Sequence, residues 1–413
     1  MEKKIYDFYF LVNKDQRNRK FINDYHEFDA IIDNVCQRCK SEVVNDYCSE
    51  CEELGRLYKG DKLYRLVDNK PIIPYKDKLK ELKLTDLQRD ASDFIINNIK
   101  NKKNSLIWAV CGAGKTEITF EAIEYCLKNN KSVCFCIPRI DILNEIKSRL
   151  ELYFPNTTIS VISGKEKQKE NTQIFVMTTN QLLRCKGVFD FVIVDEVDAF
   201  PFSHHPKFLT AVYDSLTCDG VFCCLTSTPS QEIKNLNVET FIIYKRWHNY
   251  PLPVPNLIPI IFNSDLFYRL ILSFHLYTQQ RPILIFICNK DYCELAKTKL
   301  TPIFKNKRIE CVHSQSENRF EIIKEFSNNK IDVLITTPIL ERGVTFKDVD
   351  VIVLDSDNEL YNEASLVQIA GRSRRHPDFQ GGNVYFYYKE YTNIIKDSKK
   401  QIKMMNNKAN KDN

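Results

Sequence analysis

A strand that runs directly into a glycine-containing loop constrains this chain more than any other feature. Residues Ser105–Val110 form an apolar, β-rich run, and Cys111-Gly112-Ala113-Gly114-Lys115-Thr116 follows at once. Glycines let the backbone close around phosphate oxygens, and the helix expected after the loop presents free N–H groups to an anion. Because this loop needs a strand before it and a helix after it, the chain must build an α/β layer.

Two series of short apolar runs, separated by helix-length segments, predict two lobes that each surround a buried parallel sheet. The first series consists of Ser105–Val110, Ser132–Ile137, Gln173–Thr178, Phe191–Val194 and Val221–Thr226. The second consists of Ile283–Cys288, Arg308–His313, Val333–Thr337, Val351–Leu354 and Asn383–Tyr388. The proline-rich stretch Pro251–Pro255 predicts a stiff break between the two series.

The length of 413 residues exceeds one domain. We expect an N-terminal segment with a cysteine module at residues 1–62, a first lobe at 63–250 and a second lobe at 256–392. Residues 393–413 are rich in lysine and asparagine and are expected to form a polar tail.

Bulk composition excludes some classes of protein and leaves others open. The net charge of +5 is only mildly basic, so it does not by itself indicate a nucleic-acid partner. The sequence contains no apolar run of about 18 residues, as a membrane span would need, and it lacks a signal-peptide core at its N-terminus. Eleven of the 15 cysteines are scattered, mostly in apolar runs, which is typical of a reducing compartment. We therefore expect a cytoplasmic protein.

The glycine loop predicts a nucleotide-phosphate site. Lys115 is expected to reach the β and γ phosphates of ATP, and the Thr116 hydroxyl to coordinate Mg²⁺. Ala109 stands where the strict phosphate-loop pattern has glycine, which is a mild departure. An ordinary strand-to-helix turn is the alternative. The loop residues predicted to bind ATP are Gly112, Ala113, Gly114, Lys115 and Thr116.

A pair of carboxylates follows another apolar strand, 80 residues after Lys115. In open α/β sheets ligands bind at the carboxyl ends of strands, where Asp195 and Glu196 are expected. Asp195 is predicted to hold Mg²⁺, and Glu196 to orient and deprotonate the attacking water. Asp198 is expected to couple to the other lobe rather than to touch nucleotide.

The run Gln368-Ile369-Ala370-Gly371-Arg372-Ser373-Arg374-Arg375 supplies arginines for the same chemistry. Spacings of four and three predict that Gln368, Arg372 and Arg375 share one helix face. Arg372 and Arg375 are predicted to act on the γ-phosphate as arginine fingers, and Gln368 to contribute to ATP binding. Arg374 is expected to face solvent or nucleic acid. A basic surface helix is the alternative.

The order of these three elements resembles helicase superfamily 2, whose motors have two tandem RecA-like lobes. The resemblance implies that Gln88 contacts adenine, whereas the alternative is an ordinary helix-surface glutamine. Thr226-Ser227-Thr228-Pro229 resembles the motif that couples hydrolysis to movement, with serine at its second position. The resemblance also places hydroxyls, amides and cations where phosphate contacts are expected. These predicted nucleic-acid residues are Arg139, Thr178, Thr179, Asn180, Thr336 and Arg342.

Four cysteines near the N-terminus have the spacing of a structural zinc site. Cys36-x2-Cys39 and Cys48-x2-Cys51 supply four thiolates from two knuckles, which suits tetrahedral Zn²⁺. A redox pair and plain buried cysteines are the alternatives. The module could bind nucleic acid, bind a partner protein or stabilise the fold of the domain.

With four cysteines ahead of the motor, nearly the whole chain resembles the ComFA family of late-competence DNA-uptake ATPases. Two further stretches carry the likeness, Val194–Pro201 and Ile339–Phe346. The resemblance implies an α/β fold of two RecA-like lobes preceded by a zinc module, with ATP, Mg²⁺ and Zn²⁺ as cofactors. It implies a DNA-stimulated ATPase that moves along single-stranded DNA at the inner face of the cell membrane. It further implies a phosphoribosyltransferase-type competence partner and a membrane DNA channel, and a homo-oligomer remains possible.

Three other functional interpretations compete with the ComFA-like one. A PriA-like replication-restart helicase would carry eight cysteines between its motor motifs, whereas four precede them here. A DEAD-box RNA helicase would have Asp-Glu-Ala-Asp rather than Asp195-Glu196-Val197-Asp198. A zinc-bearing, ATP-dependent scaffold without motor activity would not need Glu196 and the arginine pair. Few residues remain for a strand-separating insertion, which favours translocation on single strands over duplex unwinding.

Overall fold

A computed structural model describes residues 10–11, 25–66, 75–76, 78–163, 172–199, 202, 205, 207–260, 275, 281–340, 346–378 and 381–411. Internal contacts divide the chain into two units. The first comprises Met1–Trp108 and Gly114–Ile243, and the second comprises Tyr244–Asn413 together with Ala109–Ala113.

The N-terminal part of the first unit is a small β-rich module. Its strands are β1 (Phe10–Leu11), β2 (Tyr25–Asp29), β3 (Ile31–Ile32), β4 (Val35–Cys36) and β5 (Lys62–Leu66). β5 pairs antiparallel with both β1 and β2, and β3 pairs antiparallel with β4. Asp33 and Asn34 join β3 to β4 with φ angles of 49° and 57°. Positive φ at both central residues is what a tight hairpin turn requires, and short Asn and Asp side chains tolerate it.

The rest of the first unit is an α/β lobe around a seven-stranded sheet. Its strands are β6 (Ser105–Ala109), β7 (Val133–Ile137), β8 (Ile159–Ile162), β9 (Ile174–Thr178), β10 (Phe189–Val194), β11 (Leu216–Thr226) and β12 (Glu239–Ile243). The helices are α1 (Asp86–Lys100), α2 (Phe120–Lys128), α3 (Ile140–Tyr153), α4 (Thr179–Leu182), α5 (Lys207–Ser215) and α6 (Gln231–Lys234). The strand order is β12-β6-β11-β10-β7-β9-β8, and the pairs from β6 to β8 are parallel.

The second unit is an α/β lobe around a six-stranded sheet. Its strands are β13 (Asn256–Pro259), β14 (Ile283–Phe286), β15 (Ile309–Val312), β16 (Val333–Thr336), β17 (Asp350–Val353) and β18 (Val384–Tyr388). The helices are α7 (Lys290–Leu300), α8 (Arg319–Ser327), α9 (Glu363–Ala370) and α10 (Asn393–Lys411). The order is β13-β18-β17-β14-β16-β15, with every pair parallel.

Both lobes are therefore RecA-like parallel-sheet layers, and the predicted fold class is confirmed. All ten predicted strands are present, with ends that differ by a few residues; β11, for example, begins earlier, at Leu216. The central strands are almost wholly buried, as continuous apolar runs predict for a sheet covered on both faces.

The C-terminal segment differs from the expected polar tail. Residues Asn393–Lys411 form helix α10, which packs on α9. The side-chain amide of Asn406 donates to the carbonyl of Leu252 and accepts from its N–H, both at 2.9 Å. The helix buries four residues at helical spacing, namely Ile395, Ser398, Ile402 and Met405.

Among the helices of the described residues, none combines the length and the apolar character that crossing a membrane would require.

Removal of the apolar contact beneath α10 is expected to loosen this helix. Ile402 is fully buried, so Ile402→Ala should destabilise the docked helix by about 2–5 kcal/mol. Hydrogen exchange of residues 393–411 should accelerate accordingly, while Asn410→Ala at an exposed position of the same helix should leave it unchanged. Equal exchange in both variants would contradict a docked helix.

Candidate functional site

The phosphate-loop sequence adopts a backbone that glycine favours. Gly112 and Gly114 have φ angles of 81° and 75°, in the left-handed region. A Cβ at Gly114 would collide with the side-chain amide of Gln88, so the loop also packs tightly there. The expected helix starts as one 3₁₀ turn, Glu117–Thr119, before α2.

The loop lysine is held by the predicted coupling motif. Nζ of Lys115 donates to Oγ of Ser227 at 2.7 Å. Ser227 is itself fixed, because its carbonyl accepts from Nε1 of Trp108 at 3.0 Å. Ser227 is a neutral hydrogen-bond partner, so Lys115 keeps an ammonium group that can bind phosphate.

The hydroxyl of Thr116 has a neighbour that the sequence did not reveal. Thr116 is buried, and its Oγ1 accepts a long hydrogen bond of 3.4 Å from Arg149 on α3. Arg149 also forms an ion pair with Glu117. No local pattern distinguishes Arg149 from other helix-surface arginines, so only the fold brings it to the phosphate loop.

The two predicted acidic residues lie directly after β10. The N–H of Asp195 donates to the carbonyl of Cys136 at 2.9 Å, and its carboxylate accepts from the N–H of Glu196 at 2.8 Å. Burial raises the pKa of Asp195 to about 6, the Glu196 charge adds to the rise, and Lys115 opposes it. Glu196 has a φ of 51°, an uncommon conformation for this residue type. A carboxylate whose pKa is raised by burial and by a neighbouring acid is typical of a site built to receive a cation.

Asp198 was expected to couple to the other lobe, but it binds the coupling motif of its own lobe. This buried carboxylate accepts from the hydroxyls of Thr226 at 2.5 Å and Thr228 at 2.7 Å. Hydrogen bonds to a charged acceptor are short and strong. The ends of β10 and β11 are therefore tied together beside Asp195.

Gln88 is a helix-capping residue rather than a surface glutamine. It is buried, its Oε1 accepts from the N–H of Thr85 at 2.9 Å, and its own N–H donates to Oγ1 of Thr85 at 3.4 Å. This capping box starts α1. The Thr-x-x-Gln pattern could have been read from the sequence as a helix start. The same amide lies against Gly114, so the cap also reaches the phosphate loop.

The predicted single helix face for the second-lobe glutamine and arginines is wrong. Gln368 is buried in α9, which ends at Ala370. Arg372 and Arg375 lie beyond that end, in a turn, and Arg372 is 3% exposed. Gly371 is the C-cap of the helix and keeps a right-handed backbone with a φ of −62°, and the chain leaves that conformation at Arg374, whose φ is 54°.

A fully buried arginine, which no sequence motif predicts, lies next to this turn. Arg246 is 1% exposed in the second unit. Its guanidinium donates to four backbone carbonyls at 2.5–3.2 Å. Burial lowers its pKa to about 10. The four carbonyls belong to Cys111, Gly371, Ser373 and Arg374.

Arg374 was expected to face solvent or nucleic acid. It is instead half-buried, has a φ of 54°, and donates through Nε to the carbonyl of Gly382 at 2.8 Å. The side chain therefore shapes the turn that carries Arg372 and Arg375.

Two of the predicted nucleic-acid hydroxyls are buried. Thr179 is 1% exposed and lies against the sulfur of Cys136. Thr336 is completely buried, and its hydroxyl donates to the carbonyl of Val312 at 2.9 Å. These hydroxyls stabilise their own lobes.

The remaining predicted nucleic-acid residues are placed differently. Arg139 and Thr178 are half-buried at the ends of the first-lobe strands. Asn180 on α4 donates to the carboxylate of Glu53 in the cysteine module. Arg342 lies outside the described residues, as do the neighbouring residues 341–345.

The four module cysteines form one buried cluster. Sγ–Sγ distances are 3.8 Å for Cys36–Cys51, 3.4 Å for Cys39–Cys48 and 3.5 Å for Cys48–Cys51. A tetrahedron of ~2.3 Å zinc–sulfur bonds has edges of about 3.8 Å, so the cluster has nearly the size of a zinc site. Together the four sulfurs could hold a metal ion.

Without a metal, hydrogen bonding within the cluster favours thiolate at two of the four cysteines and raises the pKa of the other two, Cys36 and Cys51. Hydrogen bonding from Cys36 lowers the pKa of Cys39 and brings that of Cys48 to about 7. Buried Arg38 donates to the sulfur of Cys51 at 3.0 Å and 3.1 Å. The same guanidinium donates to the carbonyls of Cys51, Leu54 and Gly55 at 2.6–3.1 Å. Arg38 thus joins the loop of the first cysteine pair to the loop of the second.

The cysteine module shares its core with the first lobe. Leu57 and Leu63 belong to the same buried cluster as Leu182 of α4 and Phe208 of α5. At the surface, Lys207 donates to the carboxylate of Glu50 at 2.9 Å. The cysteine module is therefore an integral part of the first unit.

Two tandem RecA-like lobes, a phosphate loop and an acidic pair at a strand end define an ATP-dependent, helicase-like enzyme of superfamily 2. The helicase domains imply ATP, Mg²⁺ and nucleic-acid binding. Residues 81–230 match the family described as "Type III restriction enzyme, res subunit", and residues 265–377 match "Helicase conserved C-terminal domain".

Two relatives cover most of the chain. Competence protein ComFA of Bacillus subtilis is 34% identical over 88% of this chain and 81% of its own length. Competence protein ComFA of Streptococcus pneumoniae is 33% identical over 91% of this chain and 90% of its own length. The chain belongs to the ComFA family and is a helicase-like motor in competence.

Solved structures agree at the level of the fold. Saccharomyces cerevisiae Dbp5, bound to RNA and ADP BeF3, superposes with a TM-score of 0.58 at 17% identity. The match covers 78% of this chain and 88% of that one.

The raised pKa of Asp195 generates a prediction about stability. Because its folded pKa of about 6 exceeds the ordinary aspartate value of 3.8, the neutral side chain stabilises the fold below about pH 4, and that stability is lost as pH rises through 6. Asp195→Asn should therefore raise the free energy of unfolding of the nucleotide-free protein by at most about 3 kcal/mol at pH 7.5 and by less at pH 5, and its melting temperature should rise accordingly. Melting curves at both values test this, and a gain that does not depend on pH would contradict it.

Proposed function

We propose that this chain is an ATP-dependent single-stranded DNA translocase that drives uptake of transforming DNA during natural competence. The observation that carries the proposal is the arrangement of the loop lysine, the acidic pair and the coupling threonines. Lys115 bonds Ser227 after β11, and Asp198 after β10 bonds Thr226 and Thr228. A change at the nucleotide phosphates can thus reach the coupling motif through direct hydrogen bonds.

The hydrolytic roles follow from chemistry and position. Lys115 binds the β and γ phosphates, and Thr116 and Asp195 would hold Mg²⁺, which would neutralise phosphate charge. Glu196 orients and deprotonates the attacking water. The ATP-binding set is completed by the loop backbone of Gly112, Ala113 and Gly114, by Gln88 and by Gln368.

Arg372 and Arg375 are the proposed arginine fingers. Guanidinium groups stay charged and bind phosphate through paired N–H groups, so they can stabilise charge that develops on the γ-phosphate. Their turn is held by Arg246 and Arg374, which bond its carbonyls and the neighbouring Gly382. A firmly held turn suits residues whose placement decides the rate.

The strand contacts are proposed for residues that remain accessible. Arg139, Thr178 and Asn180 are candidates in the first lobe, and Arg342 is a candidate outside the described residues. The buried hydroxyls of Thr179 and Thr336 act indirectly, by fixing the adjacent backbone. Contacts of this kind address phosphate and sugar, so binding should be salt-sensitive and nearly independent of sequence.

The cellular setting is proposed from family membership. The protein would act at the inner face of the cell membrane, next to a membrane DNA channel and a phosphoribosyltransferase-type competence partner. Assembly into a homo-oligomer is compatible with this role. The names of the two relatives support the competence setting.

ATP turnover distinguishes this proposal from its competitors. Steady-state hydrolysis should rise at least tenfold with single-stranded DNA and less with duplex DNA or RNA. Lys115→Ala should abolish hydrolysis, because the phosphate charge loses its main counter-charge. Lys131→Ala is the matched control, since Lys131 precedes β7 at the amino edge of the same sheet.

Other results in these assays would favour a different function. Stimulation mainly by RNA would favour an RNA helicase, and hydrolysis without stimulation by any nucleic acid would favour a scaffold. Robust unwinding of a blunt duplex by the purified chain would contradict a translocase that lacks a strand-separating element. Displacement of streptavidin from a biotinylated single strand would measure translocation directly.

We further propose that Cys36, Cys39, Cys48 and Cys51 hold one structural Zn²⁺. The sulfur distances support four ligands around one ion, and the lowered pKa values of Cys39 and Cys48 support thiolates at those two positions. A bound zinc contributes directly to the folding of such a small module. Its place beside α4 would then hold Asn180 in position through Glu53.

Loss of one ligand tests the zinc proposal. Cys48→Ser should reduce the zinc content from one per chain to near zero and accelerate hydrogen exchange across residues 30–57 and α4. Cys218→Ser should change neither, because Cys218 is the exposed cysteine of the described residues. Stoichiometric zinc in Cys48→Ser, or its absence from the unmodified protein, would refute the assignment.

A further inference from the structure

Helix α10 separates its charges and its apolar residues onto opposite faces. It contains six lysines and one acid, Asp397. Its buried residues occupy the side that packs on the second lobe. The six lysines all line a single groove on the other side and are Lys396, Lys399, Lys400, Lys403, Lys408 and Lys411.

The groove has a concave and partly apolar floor. Its volume is about 720 Å³, and Leu257 of β13, Tyr391 and Met404 complete its lining. Tyr391 is 56% exposed. Apolar and aromatic surface between cations is what a nucleic-acid base needs for stacking next to its backbone phosphate.

The positive charge of the groove is not neutralised by the protein. Within the described part of the chain, none of the six lysines forms an ion pair with a carboxylate. Burial and then the charge of Lys403 lower the pKa of Lys399, so the cations already crowd one another. Crowded cations that lack ion pairs are relieved by an external anion.

The shape of the groove selects among possible anions. The lysines span residues 396–411, or about 22 Å of helix at 1.5 Å per residue, so they match an extended polyanion better than a single phosphate. A flat bilayer would touch only the rim of a concave groove, leaving its floor unused. A flexible single strand can place phosphates on the lysines and bases on the floor.

We propose that the α10 lysine groove binds the phosphate backbone of single-stranded nucleic acid. The identification of that strand as DNA rests on the proposed function. The groove lies at the β13 edge of the second sheet, four strands from β16, whose end carries the predicted motif around Thr336. At ~4.8 Å per strand this is about 19 Å, so the groove is a second anchor beyond the motor contacts.

Binding of a fluorescein-labelled oligo(dT) to the full chain without nucleotide tests the proposal. Lys396→Gln/Lys400→Gln/Lys403→Gln should raise the Kd about tenfold. The slope of log affinity against log salt should fall by about 2, because each lost phosphate contact on a single strand removes ~0.7. The charge-preserving Lys396→Arg/Lys400→Arg/Lys403→Arg should bind like the unmodified chain, which separates charge from helix damage.

A matched control removes the same charge elsewhere on the second lobe. Lys305, Lys330 and Lys347 are exposed and make no ion pair with a described residue, so their triple glutamine variant should change the Kd less than twofold. Equal loss in both triple variants would overturn the proposal, as would unchanged oligo(dT) affinity in the groove variant. Loss of binding to phosphatidylserine vesicles with oligo(dT) binding intact would also overturn it, in favour of a membrane contact.

The measurements can refute the groove proposal without refuting the translocase proposal, and the reverse. A groove-specific loss of oligo(dT) affinity together with unstimulated ATP turnover would support the groove and refute the translocase. DNA-stimulated turnover with normal oligo(dT) affinity in the groove variant would support the translocase and refute the groove. Inorganic phosphate at the same ionic strength should compete only weakly, because the proposed ligand is a polymer.

Discussion

Parallel pairing of three neighbouring strands is the constraint on which the candidate site depends. In the order β6-β11-β10 all strands point the same way, so their carboxyl ends meet at one edge of the sheet. The phosphate loop, the coupling motif and the acidic pair each follow one of those ends. An antiparallel neighbour would carry its following loop to the opposite edge. The Lys115–Ser227 and Asp198–Thr226 bonds are possible because the sheet brings these loops together.

The sequence could predict the sheets because fully buried parallel strands are continuous apolar runs. It could predict the phosphate loop and the acidic pair because each follows such a run. It did not predict α10, because lysines and asparagines dominate that segment, although Ile395, Ser398, Ile402 and Met405 have the spacing of a buried helix face. The spacing of these four residues predicts a helix with one buried face, whereas the amino-acid composition of the segment does not.

The misassigned arginine helix has a different cause. Spacings of four and three fit a helix, but Gly371 ends α9 before Arg372. Gly371 has an ordinary right-handed backbone, and a Cβ there would lie 2.7 Å from Cβ of Cys111, so the glycine reflects a tertiary contact that the local pattern does not reveal. The cysteine module is the opposite case, since the spacing of Cys36, Cys39, Cys48 and Cys51 was enough to predict that four sulfurs meet. Sequence spacing predicts a site correctly when its ligands lie a few residues apart. It fails when tertiary packing determines where a helix ends.

Arg246 shows the limit of local patterns most clearly. A buried cation usually pairs with a carboxylate, yet its partners are four neutral carbonyls of Cys111 and the arginine turn. Only guanidinium offers five donors in a rigid plane, so lysine with three donors could not satisfy this set. Loss of the side chain would leave several buried carbonyls without donors, each at a cost of about 1–3 kcal/mol. The backbone around Cys111 and the turn that carries Arg372 and Arg375 are thus held by one residue, which no motif marks in the sequence.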